Sequence, residues 1–238
     1  MAILEINNLS RFFGGLAANS DISFSVTEGT IVGLIGPNGA GKTTLFNCIT
    51  GYYPPTRGSA LFKGVHLNNL SPDRICKLGM VRTWQKVRPL AEMTVLDNVI
   101  VGAFCRTGSL RTARELAMEQ LKVVKLDHKA AFPAGKLPIG EQKKLELARV
   151  LATAPALLLL DEVMGGLNPA ESEDIIQFLL GIKKRGITLM IIEHNIKAIM
   201  RISDRIVVLN SGEKLAEGTP EEVISNPSVV KAYLGDSH

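Results

Sequence analysis

The stretch Ile31-Val-Gly-Leu-Ile-Gly36-Pro-Asn-Gly-Ala-Gly41-Lys42-Thr43-Thr44 constrains this chain more than any other. It reads as a buried strand, a glycine-rich loop and the start of a helix. The loop fits G-x-x-x-x-G-K-[ST], in the strand-to-helix setting that motif requires. The mostly apolar run before Gly36 suits a central parallel strand. Thr44-Leu-Phe-Asn-Cys-Ile49 carries apolar positions at helical spacing. The physical task of such a loop is to hold a polyphosphate. Gly36, Gly39 and Gly41 permit backbone angles that side chains forbid, so successive N–H groups turn inward on an anion. The helix from Lys42 adds the positive end of its dipole. Lys42 supplies a full charge to the β- and γ-phosphates, and the Thr43 hydroxyl is placed to ligate Mg2+. The plain alternative is a glycine-rich turn with a chance Lys-Thr, which gives no reason for the flanking strand and helix.

With 238 residues the chain has room for one large domain or a domain carrying a subdomain. A net charge of +4 is too mild to argue for nucleic acid by itself. Cys48, Cys76 and Cys105 are far apart in sequence and odd in number, so no disulfide framework or metal spacing is expected, and a reducing compartment is. Met1-Ala-Ile-Leu-Glu5 has neither a basic nor a long apolar segment, so no signal peptide is expected. The longest aliphatic run, Ala156 to Leu160, is far short of the roughly twenty residues that span a bilayer. Any work at a membrane then needs a partner.

Residues 2–35 look β-rich. Ile3–Ile6 and Ile22–Val26 alternate as half-buried strands. Between them lies Arg11-Phe12-Phe13-Gly14-Gly15, and two adjacent aromatics cannot both face one core from a strand. Phe13 either stacks on a nucleotide base or packs. Ser59–Phe62 and Met80–Gln85 are strand-like, and Ser71-Pro72 opens a helix as cap and first-turn proline. From residue 86 to 154 strand patterns disappear. Thr94–Phe104, Leu110–Leu126 and Glu141–Thr153 read as helices, with Leu110, Ala113, Leu116, Ala117, Leu121 and Val124 on one face. This is an inserted helical subdomain. The α/β pattern then resumes. Ala156–Asp161 is a buried strand ending on an acid, and Asn168-Pro-Ala-Glu171 opens a helix with a capping box. Ile187–Ile192 is a strand ending at Glu193-His194. Ile206–Leu209 and Lys214–Glu217 form a hairpin, and Thr219-Pro220 and Asn226-Pro227 start two short helices.

A phosphate loop needs an acid on the metal side and a means of activating water. Asp161 ends a buried strand, the edge at which open α/β sheets bind ligands, and can hold Mg2+ through water. Glu162 follows at once and serves the attacking water. Alone, Asp-Glu after an apolar run is a solvated strand end; the phosphate loop changes that reading.

In this order the motifs closely resemble the ATP-binding cassette (ABC) family over essentially the whole chain. Gly36, Pro37, Asn38, Gly39, Ala40, Gly41, Lys42, Thr43 and Thr44 stand as Walker A, and Gln85 as the Q-loop. Leu137-Pro-Ile-Gly-Glu141-Gln142 stands where the signature belongs, Leu157–Glu162 as Walker B, Gly166-Leu-Asn-Pro169 as the D-loop and His194 as the switch histidine. The resemblance implies an α/β P-loop NTPase fold: a RecA-like mixed sheet core with an N-terminal antiparallel β subdomain, carrying an inserted α-helical subdomain. One ABC ATPase domain would span 1–238, its nucleotide-binding core at 1–85 and 155–238 and its helical part at 86–154. The cofactors implied are ATP and Mg2+. Phe13 would stack on adenine, Gln85 would touch the metal and the attacking water, Glu162 would polarise that water and His194 would contact the γ-phosphate. ATP is sandwiched between two such chains in this family, so Pro138, Ile139, Gly140 and Glu141 would meet the nucleotide of the other protomer.

Three positions depart from the family pattern. Pro138 and Ile139 replace a serine and a glycine of L-S-G-G-Q, which weakens a side-chain contact to the trans phosphate. Val163 stands where Walker B carries proline. Asn168 replaces the common D-loop aspartate.

Within the family the chain is most similar to the ATPases of bacterial branched-chain amino acid importers, through Phe13-Gly-Gly-Leu16, Val81-Arg-Thr-Trp-Gln85, Glu193-His-Asn195 and Ala232-Tyr-Leu-Gly235. That implies a second ABC ATPase subunit, transmembrane permease subunits, an indirect periplasmic solute-binding protein, no nucleic acid, and a peripheral place on the cytoplasmic face of the inner membrane. Related ATPases serve urea or amide import or lipopolysaccharide export. A permease groove is expected beside the Q-loop, lined by Lys86–Leu90 and Met93–Val95, unless Val87, Leu90 and Val95 are core. A soluble ABC machine of DNA repair or translation would need long coiled coils or two cassettes, for which the chain has neither heptads nor a repeat. A P-loop GTPase or kinase is the third reading; no Asn-Lys-x-Asp base-reading segment is evident, and the later motifs would go unexplained.

Overall fold

The computed structural model describes residues 1–85 and 88–234. The chain opens on a hairpin of two strands, β1 (Ala2–Phe13) and β2 (Leu16–Thr27), which turn at Gly14-Gly15. At 12 residues each, these strands are more than twice as long as the alternating stretches Ile3–Ile6 and Ile22–Val26. Asn8 and Asp21 take left-handed angles (φ 47° and 48°), and the register shifts between Ile6 and Leu9 and again between Leu9 and Arg11. Bulges of this kind break the two-residue period that marks a strand in sequence. After a further strand and a helix, β4 (Arg57–Phe62) pairs antiparallel with β1 and β5 (Val65–His66) pairs with β4, giving the order β2-β1-β4-β5.

The second sheet contains β3 (Ile31–Ile35), β6 (Met80–Arg82), β7 (Leu157–Asp161), β8 (Thr188–Ile192), β9 (Arg205–Asn210) and β10 (Glu213–Gly218). Its order is β10-β9-β3-β8-β7-β6, all pairs parallel except β9 with β10. Every residue of β3, β7 and β8 is buried, as parallel strands covered on both faces must be. Alternate residues serve two cores. Val32, Leu34, Leu159 and Ile192 pack with α1 (Lys42–Ile49) against Leu4 and Phe62 of the antiparallel sheet. Ile31, Leu158, Leu160 and Ile191 join a second apolar cluster with α6 (Pro169–Lys184) and α7 (Ile196–Ile202). Helix α1, carrying the phosphate loop at its head, is thus wedged between two sheets.

Helix α2 (Pro72–Leu78) leads into β6. Ser71 precedes it, but its hydroxyl turns to Asp73 Oδ1 at 2.5 Å instead of capping the backbone. Between β6 and β7 lie α3 (Val95–Ala103), α4 (Leu110–Val123) and α5 (Ile139–Leu151), with no strand among the described residues. On α4, Ala113, Ala117 and Leu121 are fully buried. Leu110, expected on the same face, is the first residue of the helix and is exposed. Gly102 lets α3 and α5 touch: a Cβ there would stand 2.1 Å from the Arg149 carbonyl. The three helices share one apolar cluster with the sheet.

Capping boxes open α6, at Asn168 with Glu171, and α8 (Pro220–Ile224), at Thr219 with Glu222, as the residue types predict. Helix α9 (Pro227–Leu234) ends the described chain, and Gly235 lies outside it. No described helix is long and apolar enough to cross a membrane.

Candidate active site

The loop from Gly36 to Gly41 joins β3 to α1, and its glycines take φ of 153°, 80° and 95°. Gly41 is the helix N-cap, and it cannot carry a side chain. A Cβ there would lie 2.4 Å from both the Ala18 carbonyl and Asn19 Nδ2. Asn19, fully buried on β2, donates to the Gly41 carbonyl at 3.1 Å. The antiparallel sheet therefore braces the loop from outside. Nothing in the local sequence of β2 marks Asn19, beyond being a polar residue in a strand.

Lys42 folds back under the loop, donating to the Gly36 and Pro37 carbonyls at 2.7 and 2.9 Å. Burial pushes its pKa down, while the charges of Glu162 and Asp161 pull it back up. A buried ammonium satisfied by two carbonyls keeps one proton for an incoming anion.

Above the loop opens a cleft of about 380 Å³. Phe13, Leu16–Ala18, Asn38–Thr44, Glu162 and His194 line it. The structure therefore gathers Phe13, most of the phosphate loop, Glu162 and His194, residues spread over most of the chain. Phe13 is 40% exposed at the tip of β1, so packing in the core is not its role. The Arg11 guanidinium lies 4.6 Å over its ring, and Tyr53 meets its edge at 5.4 Å.

Asp161 ends β7 and is 1% exposed. Its Oδ2 accepts from Arg82 Nη2 at 2.8 Å, and its N–H donates to Thr83 Oγ1 at 3.2 Å. Its Oδ1 is buried and has no hydrogen-bond partner among the described residues. Burial pushes this carboxyl's pKa up, and Arg82 pulls it down. Arg82 is fixed in turn by Asn47 Oδ1 at 2.5 Å and by stacking on Trp84 at 4.2 Å. In the sequence Arg82 is a charge inside the strand-like stretch 80–85 and part of the phrase Val81-Arg-Thr-Trp-Gln85, neither of which assigns it a role at the site. An orphaned, buried carboxylate oxygen suits a hard cation.

Glu162 has a left-handed backbone, φ 53°. One carboxylate oxygen accepts from Gln85 Nε2 at 2.9 Å, and the other is 2.8 Å from His194 Nε2. Gln85, Glu162 and His194, far apart in sequence, therefore form one hydrogen-bonded row. The Gln85 amide nitrogen gives one of its two N–H donors to Glu162.

The signature segment lies elsewhere. Helix α5 begins at Ile139, two residues before the expected Glu141, with Pro138 at its N-cap. Ile139 is 49% exposed, and Gly140 is packed against the Glu171 carboxylate. The Glu141 carboxylate is held by Lys129 Nζ at 2.6 and 2.7 Å. None of these four residues lines the cleft of its own chain.

Of the groove candidates, Leu90 and Met93 are exposed, whereas Val95 is fully buried. Val95 is therefore core: as the first residue of α3 it faces the helical cluster. Lys86 and Val87 lie outside the described residues. A shallow hollow of about 160 Å³ nearby is lined by Tyr52, Ile75, Cys76, Arg82 and Trp84. Cys76 and Cys105, distant in sequence, approach to 3.7 Å between sulfurs without a bond.

Comparison with known proteins bears on this geometry. The profile of the ABC transporter family matches residues 19–165, and that of the branched-chain amino acid ATP-binding cassette transporters matches residues 213–238. The chain is 42% identical over 253 aligned residues to the high-affinity branched-chain amino acid transport ATP-binding protein BraF of Pseudomonas aeruginosa, covering 99% of this chain and 98% of that protein. It superposes on the ADP conformation of MJ1267, an ATP-binding cassette of an ABC transporter, with a TM-score of 0.89 and 35% identity, over 99% of this chain and 100% of that one. It is also similar to the dimeric structure of MJ0796, a bacterial ABC transporter cassette, with a TM-score of 0.82 and 28% identity, over 91% and 98% of the two chains.

Proposed function

This chain belongs to the ABC transporter family as one of its ATPase subunits, and on that premise we propose that it powers the import of branched-chain amino acids. The row Gln85–Glu162–His194 above a phosphate-loop cleft is the observation that carries the reading. The likeness to BraF over nearly the whole length supports the choice of solute over urea, amides or lipopolysaccharide.

In this reading Phe13 stacks on adenine. The N–H groups of residues 36–44 wrap the phosphates, and Lys42 exchanges its two carbonyls for phosphate oxygens. Thr43, Gln85 and Asp161 would hold Mg2+, which would neutralise phosphate charge. Asp161 Oδ1, buried with no hydrogen-bond partner among the described residues, supports that assignment. Glu162 orients and polarises the attacking water, and Gln85 and His194 hold its carboxylate in place until the γ-phosphate arrives. His194 then turns to that phosphate.

A second cassette completes the site. Residues 138–141 stand away from their own cleft, and the first turn of α5 offers free N–H groups to a partner's nucleotide. The dimeric MJ0796 cassette supports such pairing. Pro138 has no N–H to give, so Ile139, Gly140 and Glu141 carry the contact through their backbone. Residues 86–154 act as the helical subdomain, and the rest as the core. Exposed Tyr52, Trp84, Leu90 and Met93 form the surface on which the permease docks, on the cytoplasmic face of the membrane, with a periplasmic binding protein delivering solute beyond it.

Glu162→Gln is expected to trap an ATP-bound dimer in Mg2+, seen by gel filtration. A variant that stays monomeric with ATP sinks the sandwich. Lys42→Ala is expected to lose nucleotide binding or turnover, and unchanged ATPase activity sinks the site assignment. Where Lys42→Ala abolishes ATPase activity, radiolabelled leucine uptake by the assembled transporter that is indifferent to it overturns the solute alone.

A further inference from the structure

Glu162 leaves β7 in a left-handed conformation that costs an L-residue energy. The surrounding structure must therefore hold it. Two buried charged side chains close on the main chain at this point. Lys143, in the second turn of α5, donates to the carbonyls of Glu162 at 3.0 Å and Val163 at 2.8 Å. Glu193, the residue after β8, accepts the N–H of Met164 on Oε1 at 2.6 Å. The Glu162 N–H goes to the Ile192 carbonyl at 2.9 Å, and the Gly165 N–H closes a turn on the Glu162 carbonyl at 3.1 Å. The loop is gripped by a cation from one side and an anion from the other.

Both side chains are 4% exposed. Burial pushes the Lys143 pKa down and the Glu193 pKa up, and each charge draws the other back. Burying charges is costly where apolar side chains could fill the same volume. Here the charges supply what apolar groups cannot: a donor for two carbonyls and an acceptor for one amide.

We infer that Lys143 and Glu193 are positioning residues that set the peptide planes after Glu162 and so aim its carboxylate. This rests on the reading of Glu162 as the group that orients water. It also links two halves of the site. Lys143 lies four residues beyond Ile139, about 6 Å along the helix axis. A partner's nucleotide that engages the start of α5 therefore bears, through two hydrogen bonds, on the base of the same chain.

The test separates binding from turnover, using steady-state ATPase assays of the full-length chain with Mg2+ and titration of a fluorescent ATP analogue. Lys143→Met is expected to lower kcat roughly tenfold or more while nucleotide Kd stays within about threefold, and Lys143→Arg to restore most of the rate. Glu193→Gln keeps the acceptor but not the charge, and is expected to lower kcat by about three- to tenfold at unchanged Kd. Glu162→Gln, run alongside, is expected to bind nucleotide without turnover. Wild-type kcat in both Lys143→Met and Glu193→Gln beside an inactive Glu162→Gln overturns the clamp and leaves the base in place. Equal losses of binding and turnover, with Lys143→Arg no better than Lys143→Met, reduce Lys143 to a packing residue and also overturn it. An active Glu162→Gln refutes the base first. Should Lys143→Met not fold, Glu193→Gln and Lys143→Arg decide: a charge-dependent fall in kcat supports the clamp, and wild-type kcat in both refutes it.

Discussion

Replacing Arg82 by methionine tests the least exposed charge pair of the site. The substitution keeps much of the apolar stem and deletes the guanidinium, so little cavity opens. It removes the donor to Asp161 at 2.8 Å and to Asn47 at 2.5 Å, leaving a carboxylate whose side chain is 1% exposed. Removing one partner of a buried pair costs about 3–5 kcal/mol. Lys42 also draws the Asp161 charge, so the low end, about 3 kcal/mol, is expected here. For a chain of this size, at roughly 2–4 °C per kcal/mol, the Tm falls by roughly 6–12 °C.

The pH dependence has a definite sign. Burial already raises the folded-state pKa of Asp161, and without Arg82 it rises further. A group whose folded pKa lies above its unfolded value, about 3.9, favours folding below that value and loses the contribution as pH rises through the folded pKa. The deficit of Arg82→Met is therefore largest near pH 8 and shrinks toward acid. Scanning calorimetry of the nucleotide-free chain near pH 8 and pH 5 measures it. Asp161→Asn in the same background removes the stranded charge and is expected to recover most of the loss near pH 8. A single variant within about 1 kcal/mol of wild type near pH 8, or a double variant that recovers nothing, refutes the account of Asp161 as a charge held by Arg82.

Gly41→Ala puts a methyl group 2.4 Å from the Ala18 carbonyl in a left-handed turn; a loss of about 1–2 kcal/mol from the backbone angle alone, and a drop of roughly tenfold or more in nucleotide affinity, are expected by calorimetry and analogue titration. Thr219→Ala breaks the capping box of α8, whose residues do not line the cleft, and is expected to lower stability by about 1 kcal/mol with nucleotide binding unchanged. Cys76 and Cys105 are close enough to cross-link under excess oxidised glutathione, two protein thiols becoming one disulfide as the glutathione disulfide is reduced to two thiols. Burial pushes the Cys76 thiol up to about 11, so the reaction is expected to be slow at neutral pH and faster in mild alkali; peptide mapping that finds only intermolecular bridges contradicts the 3.7 Å approach.

What the sequence by itself determined was whatever is written in consecutive residues. Glycines at 36, 39 and 41 before Lys42-Thr43 specify an anion-binding turn because backbone angle and charge are local properties. Apolar runs ending at Asp161 and at Glu193-His194 mark sheet strands, and Asn168 and Thr219 mark helix starts, for the same reason. Bulges at Asn8 and Asp21 hid half of the first hairpin, since they break the period from which a strand is read. Only the tertiary structure decided which distant groups meet: Asn19 under Gly41, Arg82 on Asp161, Gln85 and His194 on Glu162, and Lys143 and Glu193 around the turn that follows it. Each of those contacts joins different elements of the fold. Their energy comes from burial and alignment, which exist once the sheets and helices have closed on one another and have no signature in the chain before that.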